Sequence, residues 1–313
     1  MTELAGAAET VVTVGSFDGV HRGHLAVLSE ITRRAAVTGR QSVLVTFEPH
    51  PMEVVSPAAA PRRLTTDLER REILAETGLQ RAVLLQFDEG LRTLPPEQFV
   101  RDILLARLGM RELVIGEDHG FGRGRQGDVA LLHRLGVELG FTVDVVPPVV
   151  DPVVGLVSST RIREAVGLGQ LDLAARLLGR PYRLSAVVVP GAGRGKTIGV
   201  PTANLAVPSR KLLPPDGVYA VWVEWAGGRV GGMLNQGPRP TVGKADQTVE
   251  VHLFGVDADL YAATVRVEWV QRLRDIRRFE SLQALQRQLI NDRARTEEIL
   301  RTSPRPEGIT GDD

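Results

Sequence analysis

The spacing of apolar residues changes character near residue 180. Ahead of that point, short apolar runs alternate with segments of helical period. Val11–Val14, Ser42–Phe47, Ala82–Phe87, Leu113–Ile115 and Val143–Val146 read as strands. Between them, Leu25, Val27, Leu28 and Ile31 mark one helix, and Asp67–Glu76, capped by Thr65 or Thr66, marks a second. Pro96–Leu108 and Val129–Leu139 read as two more. Strands alternating with helices of this length predict an α/β parallel sheet with right-handed crossovers. Past residue 180 the pattern becomes short Val-, Thr- and Trp-bearing segments between Gly and Pro: Leu184–Val189, Val218–Trp225, Arg229–Leu234, Thr248–Phe254 and Ala262–Val270. These predict a small antiparallel β-barrel. A last helix, Ser281–Leu300, is expected to pack on it through Leu282, Leu285, Leu289 and Ile290. Two domains follow, 1–180 and 181–313.

Composition narrows the function classes. The 313 residues hold 38 Lys and Arg against 38 Asp and Glu, so no global basic charge argues for nucleic acid. The chain has no cysteine, which removes disulfides, thiolate zinc sites and cysteine nucleophiles together. No stretch reads as a signal peptide or as an apolar run of membrane-spanning length, so a cytoplasmic protein is expected. The state of association is left open, a homo-oligomer included. The composition at 1–10 and 304–313 suggests poorly ordered ends.

Candidate chemistry begins in Gly15-Ser16-Phe17-Asp18-Gly19-Val20-His21-Arg22-Gly23-His24, directly after the first strand. His21 and His24, three residues apart at a helix start, lie on one helix face beside unpaired backbone N–H groups. That end of a helix binds phosphate readily, and the glycines let the backbone approach it. The pattern reads as a nucleotidyl-transfer site. Ligands on parallel sheets gather beyond the carboxyl ends of the strands. Gly15–His24, Glu48–Pro51 and Gly116–Phe121 all follow strands, which places three turns around one crevice. A hydroxyl-rich segment, Val157-Ser158-Ser159-Thr160-Arg161-Ile162-Arg163, opens a further helix, and Arg163 one turn in can reach an anion at the same end.

In the second half, chemistry concentrates in Gly193-Arg194-Gly195-Lys196-Thr197-Ile198-Gly199-Val200-Pro201-Thr202-Ala203-Asn204. Glycines leave N–H groups free to face phosphate. Thr202 and Asn204 offer the oxygen donors magnesium wants and face the same side of an extended chain. Glu250, in Val249-Glu250-Val251-His252-Leu253, is a carboxylate on an expected strand.

The first motif resembles the HxGH nucleotidyltransferases, and its GxFDGVHxGH form resembles the N-terminal module of bacterial bifunctional riboflavin kinase/FAD synthetases. The likeness runs from Val11 to about Leu300 in the expected motif order, through Val157–Arg163, Leu177-Leu178-Gly179-Arg180-Pro181-Tyr182, the GxxxGxPTAN stretch, Asn235–Thr241 and Arg272–Phe279. It implies a Rossmann-like nucleotidyltransferase domain joined to a kinase barrel, with riboflavin, FMN and ATP as substrates and Mg²⁺ as cofactor. His21, His24 and Arg163 then serve adenylyl transfer, with Gly15, Phe17, Asp18, Gly23, Ser159 and Thr160 on ATP. Pro49, Pro51, Asp118, His119 and Phe121 face the flavin side. In the kinase, Glu250 is the base, Thr202 and Asn204 hold Mg²⁺, Gly193, Gly195, Gly199 and Pro201 hold ATP, and Asn235 and Arg239 lie near the flavin.

The chain departs from the family pattern at four places: His119 for an aromatic residue, Pro190 in a VxHG position, Val200 for phenylalanine and Ile276 for glutamate. Arg125 and Gly127 still fit the pattern that follows His119. Two other readings stay open on sequence alone. One is a paralogue with altered flavin preference or a single working module. The other is a flavin- or nucleotide-binding regulator without turnover.

Overall fold

The computed structural model describes residues 9–117, 127–191, 195, 199–238 and 247–303. Its contacts form two compact units, residues 1–63 with 70–159 and residues 64–69 with 160–313. Among the described residues, no helix is long and apolar enough to cross a membrane.

Unit 1 is built on five parallel strands, β1 (Thr10–Val14), β2 (Gln41–Glu48), β3 (Arg81–Gln86), β4 (Met110–Gly116) and β5 (Thr142–Val146). They lie in the order β3-β2-β1-β4-β5. The central strands are buried on both faces because helices cover both. Successive residues of β1 therefore serve opposite cores. Val11 packs with Val27, Leu28 and Ile31 of α1 (Arg22–Thr38), while Val12 packs with Leu131, Leu132 and Leu135 of α6 (Val129–Leu139). Between these helices the chain forms α2 (Pro51–Val55), α3 (Asp67–Ala75), α4 (Glu89–Thr93) and α5 (Pro96–Gln98).

The sequence expects a single helix over 96–108; the chain instead passes from α5 into a π-helical stretch, Phe99–Leu105. A small hairpin, β6 (Val150–Asp151) with β7 (Gly155–Leu156), precedes α7 (Ser159–Gly167) and α8 (Leu171–Leu178). Thr66 is the cap of α3: Glu69 N donates to Thr66 Oγ1 and Thr66 N donates back to Glu69 Oε2, the reciprocal capping box.

Unit 2 holds a closed barrel of β8 (Arg183–Val189), β9 (Ala203–Leu205), β10 (Gly217–Trp225), β11 (Gly228–Pro238), β12 (Gln247–Leu253) and β13 (Thr264–Arg274). All of its ladders are antiparallel. Periodicity does not reveal β9, because it is three residues long and sits inside the glycine- and proline-rich motif. The last helix, α9 (Leu282–Thr302), packs on the barrel as expected, with Leu285 and Leu289 lining a cavity there. Leu282 and Ile290 are exposed, and the buried positions are Asp292, Thr296, Ile299 and Leu300. Arg274 draws Asp292 inward, its Nε and Nη2 donating to Asp292 Oδ2 at 2.9 and 2.8 Å, while Ile299 and Leu300 pack on Ala220.

Candidate active sites

In unit 1, the turn after β1 lies between its neighbours β2 and β4, where an open parallel sheet places its ligand crevice. Phe17, Gly19 and Val20 all have positive φ, at 49°, 85° and 37°. The turn delivers His21 as the cap of α1, with His21 Nδ1 accepting from His24 N at 3.3 Å. In a neutral ring that bond leaves the proton on Nε2. The His21 and His24 rings stack at 3.7 Å and 15°, and Phe17 stacks on His24 at 4.5 Å.

Two of the glycines are explained by these rings. A Cβ at Gly15 would lie 3.0 Å from the Phe17 ring, and one at Gly23 would lie 3.1 Å from the His21 ring. Gly19 instead supplies a backbone conformation that other residues rarely adopt. Asp18 is buried, and its carbonyl accepts from Ser159 Oγ at 3.0 Å, joining the start of α7 to the turn. Arg22, between the histidines, is held by the buried Asp151 at 2.7 Å. Asp151 in turn accepts from Val153 N and Val154 N. Thr160 and Arg163 continue α7 in unit 2, with Arg163 four residues after Ser159 and hence on its face of the helix.

The turn after β2 carries Pro49, which follows a cis peptide, and Pro51, the first residue of α2. His50 caps that helix, accepting from Met52 N. Glu48 is gripped by both Arg63 and Arg70. The carboxylates of Glu48 and Glu53 hold the Arg63 guanidinium well above its ordinary range, although burial opposes this. Asp118, His119 and Phe121 lie outside the described residues, as does Arg125.

In the barrel, register brings three predicted residues into one row. Asn235 on β11 pairs with Glu250 on β12, and Glu250 pairs with Asn204 on β9. Direct cross-strand neighbours present side chains to the same face. Glu250, Asn235, Thr202 and Gly195 line a cavity of about 370 Å³, closed on its apolar side by Met233, Ile276, Phe279 and Leu289. Two of the departures, Val200 and Ile276, are in that wall. Ile276 Cδ1 occupies the space beside Gly237 where a side chain would stand. The Asn204 amide fills the space beside Gly191, so any larger residue at 191 would displace it.

His252 lines the same cavity and donates from Nδ1 to the Pro201 carbonyl at 2.7 Å, fixing the segment that leads to Thr202. The chain folds back on itself just before, Val200 N donating to Gly195 O at 2.9 Å, and Gly199 turns at φ 77°. Gly193 and Arg239 lie outside the described residues. A hydroxyl from Thr202 and an amide oxygen from Asn204, beside a carboxylate at Glu250, form a hard oxygen set that suits Mg²⁺ sharing its shell with phosphate.

Sequence reading missed Arg63, Arg70, Asp151 and Gly191, and gave His252 no role. None stands in a motif whose chemistry names it. Their signal is a partner far away in the chain.

A five-stranded parallel unit with paired histidines at its switch point, together with a closed barrel that sets a carboxylate beside a Thr–Asn pair, defines a two-module nucleotide-using transferase. The sequence matches the FAD synthetase family over residues 4–161 and the riboflavin kinase family over residues 178–300. The bifunctional riboflavin kinase/FMN adenylyltransferase of Pseudomonas fluorescens is 42% identical over 88% of each chain. That of Escherichia coli K12 is 38% identical over 90% of each. A crystal structure described as a macrolide-efflux protein from Streptococcus pneumoniae superimposes with a TM-score of 0.81 at 30% identity, covering 97% of this chain and 98% of that one. The chain belongs to the bifunctional riboflavin kinase/FMN adenylyltransferase family.

Proposed function

We propose that the two activities of this family run at separate sites of the chain, riboflavin phosphorylation within 181–313 and FMN adenylylation within 1–180. As a member of that family the protein is a bifunctional, ATP-dependent transferase. The observation that carries the division is the Asn204–Glu250–Asn235 row beside the barrel cavity, a set of groups distinct from the His21–His24 stack.

In the barrel, Glu250 takes the proton from the terminal ribityl hydroxyl of riboflavin as that oxygen attacks the γ-phosphorus of ATP. The bond to ADP breaks, and FMN and ADP form. A base so placed contributes ~10²–10⁴ in rate. Asn235 orients the flavin, as does Arg239, and Gly193, Gly195, Gly199 and Pro201 hold the nucleotide. Thr202 and Asn204 hold Mg²⁺, which when bound neutralises phosphate charge.

In the first half, an FMN phosphate oxygen attacks the α-phosphorus of a second ATP, and pyrophosphate leaves as FAD forms. His21 and His24 donate to phosphate, and the tautomer fixed at His21 leaves its Nε2–H for that task. Gly15, Phe17, Asp18 and Gly23 shape the nucleotide side. Ser159, Thr160 and Arg163 are assigned to the leaving phosphates by the family motif. Pro49, Pro51, Asp118, His119 and Phe121 are assigned to the flavin side. A cytoplasmic setting is part of the proposal.

A chromatographic time course of the purified chain with riboflavin, ATP and Mg²⁺ tests this reading. FMN should appear first and then convert to FAD. FMN that accumulates without FAD would mean an idle first module, and absence of both products would remove the catalytic reading.

A further inference from the structure

We propose that Arg70 is a positioning residue for adenylyl transfer, fixing the peptide that aims the Phe17–His24–His21 stack. The inference rests on the assignment of that reaction to the His21/His24 site.

Arg70 lies on α3 and is 5% exposed. A buried guanidinium is retained where its donors meet fixed acceptors. Two of its acceptors are backbone carbonyls at the ends of adjacent strands. Arg70 Nη1 donates to Ser16 O at 3.2 Å and to Phe47 O at 3.4 Å, and Nη2 donates to Glu48 Oε2 at 3.1 Å. One side chain thereby ties the turn after β1 to the turn after β2.

The Ser16 carbonyl is the informative contact. It also accepts from the buried Thr46 Oγ1 at 3.2 Å, so two side-chain donors orient the Ser16–Phe17 peptide plane. Phe17, the next Cα, sits at φ 49°, in the left-handed region. A residue with a side chain holds that conformation where the surroundings fix it. With the peptide plane and φ both set, the Phe17 ring lies over Gly15 and under His24, and His24 lies on His21. Arg70 thus acts on the imidazoles through the Ser16–Phe17 peptide and the Phe17 ring. Glu48 does not account for the residue, since Arg63 already binds both of its oxygens at 2.9 Å.

The test compares the full-length chain with Arg70→Met, Arg70→Lys and His24→Ala under single turnover, enzyme in excess over FMN with saturating ATP. With enzyme saturating, shown by a rate constant that does not change when its concentration is doubled, the rate constant reports the geometry of folded sites and not the fraction of the sample that is folded. Arg70→Met should lower the rate constant of FAD formation by about 10–10²-fold, the scale of an ångström-level misplacement. Arg70→Lys, which keeps a buried cationic donor, should restore most of it. Riboflavin kinase turnover in the same samples should stay unchanged.

A wild-type rate constant in Arg70→Met, whatever its amplitude, overturns the proposal, as does Arg70→Lys performing no better than Arg70→Met. If Arg70→Met yields no soluble protein, Thr46→Val removes the other donor to Ser16 O. An unchanged rate constant in Thr46→Val and Arg70→Lys together then overturns it. Full FAD formation by His24→Ala would instead sink the site assignment, a separate failure.

Discussion

Glu250 and Asn204 face each other across the β12–β9 ladder, so the proposed base and a proposed metal ligand share one face of the barrel by register alone. Glu250→Gln keeps the shape and removes the proton acceptor. The kcat for riboflavin phosphorylation should fall by ~10²–10⁴, the usual worth of a positioned base. FAD formation from supplied FMN should not change, and both rates are read by chromatography of the flavins.

Asn204→Ala removes an oxygen donor without touching Glu250. The Mg²⁺ concentration giving half-maximal kinase rate should rise by at least about tenfold, the range seen when the surroundings of a bound metal are altered. Chelation by EDTA should stop FMN formation and re-addition of Mg²⁺ should restore it. An unaltered Mg²⁺ dependence would remove Asn204 from the metal shell.

His24→Ala breaks the stack with both Phe17 and His21. It should abolish FAD formation while leaving FMN formation within about twofold, since the kinase groups lie in the other unit. If both activities fell together, separate sites would be the wrong description.

Stability should depend on a buried ion pair in unit 2. Lys211 Nζ donates to Glu69 Oε2 at 2.6 Å, to Leu64 O at 2.7 Å and to Arg183 O at 2.8 Å, and both charged side chains are wholly buried. Lys211→Met would leave the Glu69 carboxylate without its cation, a change that costs about 3–5 kcal/mol. Glu69→Gln in that background should recover part of the loss. Urea unfolding followed by circular dichroism checks both.

Acid stability carries a separate signature at Glu30, on α1. Hydrogen bonds from Arg33 and then Arg34 pull its carboxyl from 4.5 down to about 2. A depressed carboxylate stabilises the fold above pH 4.5, and that contribution is lost as pH falls toward 2. Glu30→Gln should flatten this part of the melting-temperature profile. The effect should be small and weaken with salt, since these side chains are partly exposed.

Much of the protein was legible in the chain because its signals are local. Apolar runs bounded by Gly and Pro marked the five strands of the sheet, and the helical pattern of Val129–Leu139 matches the helix to the residue. Motif spacing singled out His21, His24, Thr202 and Asn204 as candidates, each at a fixed offset from a glycine turn, and the family resemblance added Glu250. The pattern of α9 placed Leu285 and Leu289 against the barrel but did not show that Asp292 is buried on the same side. Its leucines dominate a hydrophobic pattern, but Arg274, far back in the sequence, draws the polar Asp292 inward.

By itself, then, the sequence determined the α/β sheet and the barrel that follows it, the order of their longer strands and helices, and the residue types available for chemistry, all of which follow from short-range periodicity and turn residues. Tertiary structure alone decided which distant groups meet. Strand register set Asn235, Glu250 and Asn204 in one row. Long-range hydrogen bonds carried Arg70 to the Ser16 carbonyl and Asp151 to Arg22. Such contacts depend on where whole elements pack, and no local pattern in the chain encodes the distance between side chains fifty or a hundred residues apart.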